Sequence, residues 1–203
     1  MPRQKEFDRD EVLEKAMTVF WRQGYEATSV QDLVEAMGIN RGSLYDTFQD
    51  KHSLFLAAIA HYQTTVVKPI LAPLLAPDAA RQAIVDHFYS LAERSAADLD
   101  RQGCLMTNAM VERGAHDDAV TQQAKATLQQ IEAAFYQALQ RAEAKGEIAA
   151  NQDLRAIAQY FACALQGLRV VAKINPDPQY LRQTAELILA VLQPQPETAR
   201  PTA

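Results

Sequence analysis

The stretch 28-TSVQDLVEAMGINRGSLYDTFQDK-51 decides the fold, because it sets two short apolar-patterned segments on either side of a glycine and a small polar run. Thr28 and Gln31 make the T-x-x-Q pattern of a capping box, which predicts a helix carrying Val30, Leu33, Val34 and Met37 inward until Gly38 stops it. Asn40 is a good N-cap for a next helix whose apolar side is Leu44, Tyr45 and Phe48, and Asp50 caps the one after. Two short helices joined by a tight glycine-containing turn form a helix-turn-helix, whose second helix lies in the DNA major groove with its first residues against base edges.

The first turn of that second helix has the chemistry for the task. Arg41 can reach guanine O6 and N7 or a phosphate, Ser43 can bond either, and Gly42 removes a side chain where backbones must approach. Free backbone N–H groups at the helix starts near Thr28, Asn40 and Asp50 supply anion sites. They are needed, because the chain carries a net charge of -5. Up to His52 there are 7 Lys and Arg against 10 Asp and Glu, so phosphate binding must come from local geometry and not from overall charge.

A chain of 203 residues, 48% hydrophobic and 22% charged, can bury a proper core and is globular. No apolar run approaches the roughly 18 residues of a membrane span, and the charged start MPRQKEFDRDE is unlike a signal peptide, which together predict a cytoplasmic protein. Cys104 and Cys163 read as intracellular thiols rather than a disulfide framework.

Apolar residues recur at three and four along the whole chain, so the fold class is all-α with about nine helices. The first runs from about Asp8 to Arg22 with Val12, Leu13, Ala16, Val19 and Phe20 on a stripe, and Gly24 stops it. A fourth runs from Asp50 past Tyr62 toward Pro69, and PILAPLLAP at 69–77 is a proline-punctuated link that cannot be one continuous helix. A fifth covers Asp78 to Leu99, and CLMTNAMVERG makes a short sixth ending at Gly114. A seventh spans Asp117 to Lys145 with Val120, Ala124, Leu128, Ile131, Phe135 and Leu139 inward. Two more cover Asp153 to Asn175 and Pro178 to Leu192. The tail QPQPETARPTA is proline-rich and polar, the composition of a disordered segment.

Three elements of the run from Phe7 to Phe55 carry a resemblance. They are F-x-x-x-G-Y-x-x-T-S/T-V through Phe20, Gly24, Tyr25, Thr28, Ser29 and Val30; G-I/V-x-x-G-S/T-L/F-Y-x-x-F through Gly38, Ile39, Gly42, Ser43, Leu44, Tyr45 and Phe48; and the closing Asp50 and Lys51. This run resembles the DNA-binding domain of the TetR family of bacterial transcriptional regulators. The resemblance implies that Thr28, Tyr45 and Lys51 contact phosphates, that Ser29 belongs to the DNA-binding set, and that Asn40, Arg41, Gly42 and Ser43 face the groove. Asp46 departs from the pattern, standing where many members carry histidine or another neutral or basic residue.

The resemblance further implies a helix-turn-helix domain at 1–52, a ligand-binding and dimerisation domain at 53–193, and a tail at 194–203. Candidate pocket residues are His61, Tyr62, His87, Phe88, Cys104, Met106, Asn108, Phe135 and Phe161. Cys104 follows Gly103 at a helix start, where free amides favour a thiolate sensor, while a buried structural thiol is the competing reading. In the family the last two helices pair across a two-fold axis, which implies a homodimer with Phe161, Leu165, Leu168, Leu181, Ala185, Ile188 and Leu192 at the interface. No cofactor and no metal are implied, since Glu112 with His116 alone shows ligand spacing and such a lone pair is usually a solvated helical face. No catalytic motif of the G-x-S-x-G, P-loop or G-x-G-x-x-G kind occurs. The reading is a ligand-responsive, sequence-specific regulator, a repressor released from a (pseudo)palindromic double-stranded operator by a small effector or a thiol-reactive compound. The alternative is a helical small-molecule-binding protein or enzyme without DNA binding.

Overall fold

Caps and apolar stripes become helices much where the sequence places them. The structure, a computed structural model, describes residues 7–193, so the tail expected at 194–203 lies outside the described residues. The helices are α1 (Arg9–Gln23), α2 (Val30–Met37), α3 (Arg41–Phe48), α4 (Lys51–Tyr62), α5 (Lys68–Leu75), α6 (Arg81–Ala97), α7 (Leu105–Arg113), α8 (Asp118–Ala144), α9 (Leu154–Ala172) and α10 (Pro178–Leu189). No strand occurs among the described residues.

Helix α4 passes without a break through a π-helical turn, Gln63–Val67, into α5, which corrects the expected link at 69–77. The reason is local. The widened turn comes directly before Lys68 and Pro69, and across it the Thr64 and Thr65 hydroxyls donate to the carbonyls of Ala60 and His61. At the far end the Arg141 guanidinium donates to the carbonyls of Leu74 and Ala79 and so caps the end of α5 and the turn after it. The resulting run Lys51–Leu75 is long and apolar enough to cross a membrane by length and composition, against the expectation that no run would be. Leu54, Phe55, Ala58, Ile59, Tyr62 and Val67 of this run are nevertheless buried in protein.

The helices gather into two compact units that alternate along the chain. One holds the residues up to Ile70 together with Gln102–Thr127, and the other holds Leu71–Arg101 and the chain from Leu128 onward. Helix α7 and the start of α8 thus group with the N-terminal helices.

In the first unit α1 packs along α4. Val12, Leu13, Ala16, Met17 and Phe20 meet Leu54, Phe55, Ala58, Ile59 and Tyr62, each pair of large side chains contributing on the order of a few kcal/mol by leaving water. Phe20 meets Phe55 edge-on at 4.9 Å, and Trp21 meets Tyr62 edge-on at 4.9 Å. Helices α2 and α3 add Leu33, Val34, Met37, Leu44 and Phe48. In the second unit α6 packs on α9 and α10 around three stacked and tilted rings, Phe88, Phe135 and Phe161, whose centroids lie 5.3 to 5.7 Å apart.

Two expectations about faces are corrected. Leu128 is exposed, while its stripe companions Val120, Ala124, Ile131, Phe135 and Leu139 are buried. The residues expected at a dimer interface, Phe161, Leu165, Leu168, Leu181, Ala185, Ile188 and Leu192, are all buried within this one chain. They form the core side of α9 and α10. The opposite sides present Tyr160, Cys163, Gly167, Val170 and Ile174 at steps of three and four along and beyond α9, and Tyr180 and Leu187 on α10. A helix apolar on two sides has one stripe for its own core and one left over, and periodicity alone does not say which is which.

Candidate nucleic-acid interface

The turn of the helix-turn-helix is built by caps. Ser29 begins α2 with a reciprocal capping box, its Oγ accepting the Asp32 N–H at 3.1 Å while Asp32 Oδ2 accepts the Ser29 N–H at 2.8 Å. This corrects the expected cap at Thr28, and the reason is chemical. A carboxylate at the third position reaches back to the cap and also suits the positive end of the helix, whereas Gln31 turns outward to bond Glu35. Thr28 is 1% exposed and its hydroxyl donates to the Gly24 carbonyl, so its side chain is not presented to a phosphate in this structure. The Asp32 carboxyl is held below the usual range by its hydrogen bonds from Ser29.

Gly38 closes α2 in the left-handed conformation, φ 69°, which a residue with a Cβ adopts only under strain. Two residues later Asn40 Oδ1 accepts the Ser43 N–H at 2.9 Å and starts α3. Burial divides α3 cleanly. Leu44 and Phe48 enter the core, and Arg41, Gly42, Tyr45 and Asp46 are exposed, with Ser43 half-buried between them. The Asn40 amide is occupied by its capping role, so its outward offer to a base is what remains of the oxygen and the NH2 group. Tyr45, placed by the helix pattern on the apolar side and by the resemblance against a phosphate, is 45% exposed, and Arg41 one turn earlier is exposed as well.

Two residues, Gln49 and Asp50, separate the end of α3 from the start of α4. Asp50 Oδ1 accepts the Ser53 N–H at 2.6 Å, and hydrogen bonds from Ser53 hold this carboxyl below its usual range. Lys51 follows, half-buried, its ammonium 4.3 Å from the centre of the Tyr25 ring. Arg41 and Asp46 are both exposed on α3, so the helix carries both a cation and an acid on its open side.

The expected pocket residues divide between the units. In the first, Tyr62 and Cys104 are brought together, the tyrosine hydroxyl donating to Sγ at 3.6 Å. Cys104 is the N-cap residue of α7 and is buried, as is Met106 beside it. Asn108 Nδ2 donates to the Gln102 carbonyl at 3.0 Å and so closes the loop that enters α7. The His61 side chain is mostly buried, and its Nε2 pairs with Glu14 of α1 at 3.0 Å. In the second unit His87, Phe88, Phe135 and Phe161 form one buried cluster, with the His87 ring edge-on to Phe135 at 5.3 Å. His87 Nε2 is buried and has no hydrogen-bond partner among the described residues. Burial first, and then the positive charges of Arg169 and Arg94, push its pKa down to about 4.

Sequence reasoning missed one group of side chains in the first unit. Glu112, Arg113 and Asp117 reach from the end of α7 and the start of α8 to Tyr25, Glu26 and His52. Glu112 had been considered only as a metal ligand. The signal available was Gly24, read as a helix stop, whose lack of a side chain also makes room for the Glu112 carboxylate.

Comparison with known proteins agrees with this geometry. Residues 12–58 match the family described as bacterial regulatory proteins, tetR family, and residues 79–188 match the tetracyclin repressor-like C-terminal domain. The chain is 36% identical over 194 residues to the HTH-type transcriptional regulator YezE of Bacillus subtilis, covering 95% of this chain and all of that one. It is 32% identical over 184 residues to the HTH-type transcriptional repressor ComR of Escherichia coli, covering 90% of this chain and 88% of the relative. Among solved structures, a cysteine mutant of the TetR family transcriptional regulator CifR complexed with 26bp double-strand operator DNA superposes with TM-score 0.83 at 32% identity, over 94% of this chain and 100% of that one. With both its reading head and its C-terminal helices matched, and relatives aligned end to end, the chain belongs to the TetR family of bacterial regulatory proteins, a family of DNA-binding regulators and not of enzymes.

Proposed function

We propose that this protein is a cytoplasmic repressor that binds a double-stranded operator as a two-fold dimer and leaves it when an effector acts on its helical body. The observation that carries the reading is α3, an eight-residue helix capped by Asn40 with Arg41, Gly42 and Tyr45 on its open side, in a family whose relatives are repressors and whose solved neighbours include an operator complex. Arg41 reads base edges. Ser29, Tyr45 and Lys51 hold phosphates, with the helix starts adding partial positive charge.

The leftover stripes of α9 and α10 support the dimer. Tyr160, Val170 and Leu187 are large apolar groups facing water, and a Cβ added at Gly167 would meet nothing within 4 Å, which leaves room for a close partner helix. Two routes of effector action have support. His87 offers a buried, unpartnered nitrogen among aromatic rings, the mixture of apolar wall and single polar anchor that small ligands use. Cys104 sits at the N-terminus of α7 with the Tyr62 hydroxyl against its sulfur, a donor that favours thiolate.

Selection of duplexes by the purified protein from a random pool tests the reading. The expected product is an inverted repeat whose half-sites are about one or two helical turns apart. Enrichment of no common sequence would refute it.

A further inference from the structure

One carboxylate holds the turn between α1 and α2 from outside the helix-turn-helix. Glu112, on the last turn of α7, accepts the Tyr25 N–H at Oε2 and the Glu26 N–H at Oε1, each at 2.8 Å. Two adjacent backbone donors converge on two oxygens of one anion, a charge-assisted arrangement that fixes orientation as well as distance. Gly24 stands just before them with φ 81°, and a Cβ there would lie 2.9 Å from Glu112 Oε2. Both the backbone conformation and the carboxylate therefore demand glycine at this position.

The neighbouring side chains tie the same two regions. Arg113 pairs with Glu26 and lies 4.8 Å from the centre of the Tyr25 ring. Its other nitrogen is 3.7 Å from Asp117, whose Oδ2 meets His52 Nε2 at 2.8 Å. Tyr25 in turn packs on Phe55 at 4.9 Å and under Lys51. All these groups lie in the first unit.

We propose that Glu112 is a positioning residue for DNA reading. It fastens the α1–α2 turn, and with it the helix-turn-helix, to α7, so that the position of α7 and the affinity for the operator are coupled. This rests on the DNA-reading function proposed above. Coupling of this kind is reciprocal: if displacing α7 weakens operator binding, operator binding must stabilise α7.

The experiment is amide hydrogen exchange on the full-length protein, with and without a duplex selected from the random pool, together with operator affinity. In the wild type, adding the duplex should slow exchange in α7. Glu112→Gln should speed exchange at Tyr25 and Glu26 by about 10-fold, lower operator affinity by about 10-fold, and remove the effect of DNA on α7. Glutamine does not rescue, because its single carbonyl oxygen accepts one N–H while its NH2 group confronts the other. Glu26→Ala removes only the Arg113 arm; it should keep the protection of Tyr25 and weaken, without abolishing, the α7 response. Should Glu112→Gln fail to fold, the wild type and Glu26→Ala decide. Unchanged exchange at Tyr25 and Glu26 in Glu112→Gln, a wild-type α7 indifferent to the duplex, or an α7 response abolished in Glu26→Ala, where both Glu112 bonds remain, would each overturn the proposal. Failure to select any duplex would instead strike the DNA-reading function, and exchange at Tyr25 and Glu26 would still report on Glu112.

Discussion

Acidifying the solution from pH 7 to pH 5 should cost this protein about 2 kcal/mol of folding stability through His87 alone. The side chain is buried between Phe88 and Phe135, and burial, with Arg169 and Arg94 nearby, lowers its pKa from 6.5 to about 4. In the unfolded chain the imidazole takes up a proton as the pH falls through 6.5, while in the folded chain it stays neutral until about 4. Between these values the unfolded state binds more protons, so stability falls with falling pH. The full difference, about 2.5 pK units, amounts to roughly 3 kcal/mol once the pH is below both values, and about two-thirds of it has been lost by pH 5. The assay is urea denaturation at fixed protein concentration at several pH values, for the wild type and for His87→Leu, which fills a similar volume and does not titrate. The variant should lose about 2 kcal/mol less than the wild type across this interval. Parallel pH curves for the two proteins would refute the burial argument, and with it the neutral His87 nitrogen as an anchor for a ligand.

Leu187→Glu, on the outer side of α10 and 76% exposed, should leave the fold intact but weaken the dimer by roughly 100-fold or more in sedimentation, because it places an unpaired charge in the interface. Ile188→Glu, buried in the same helix, should unfold the protein instead; a folded monomer from Ile188→Glu, or an undisturbed dimer from Leu187→Glu, would reverse the assignment of the two faces. Operator binding should weaken steeply with salt despite the acidic chain, Lys51→Ala lowering the salt slope by about 1 and Arg41→Ala also altering which sequence is preferred at a cost of about 1–3 kcal/mol. Equal losses on all sequences for both variants would remove Arg41 from the base edges. N-ethylmaleimide should release the protein from its operator, with Cys104→Ser abolishing the response and Cys163→Ser, which alters an exposed thiol of α9, preserving it. Release that depends on Cys163 instead would make Cys104 a core thiol.

Elements with strong local signals were readable from the sequence, and elements defined by a neighbour were not. Asn40 and Asp50 announce their helices because an Asx cap satisfies amides within its own turn. Thr28 and Ser29 are both competent caps, and the choice fell to Asp32, a residue whose reach depends on the folded turn. The prolines at 69 and 73 carry a true local penalty, yet the helix runs on through a π turn placed directly before Lys68 and Pro69, a widening that no apolar periodicity announces. For α9 and α10 the apolar periodicity was correct, but the residues expected at an interface are buried within the chain, because a stripe packed in the chain's own core and one left for a partner leave the same mark on the sequence. Of the site, the reading helix was legible and the clamp formed by Glu112 was not, because its two acceptor bonds go to backbone amides that carry no residue signature.

Asp46 stands exposed on the reading helix between Tyr45 and the core-facing Phe48, in a head with more acids than bases. If α3 lies in the groove as proposed, a carboxylate there would repel a phosphate backbone of any sequence and would be offset only where a base such as cytosine presents an N4 amino group for it to accept. Random DNA would then be held weakly. A genome offers about a million or more such competing sites, so a regulator that lingers on few of them keeps most of its copies free. Few molecules per cell would then suffice to keep one operator occupied, and the search for it would proceed largely through solution instead of by long slides along the duplex.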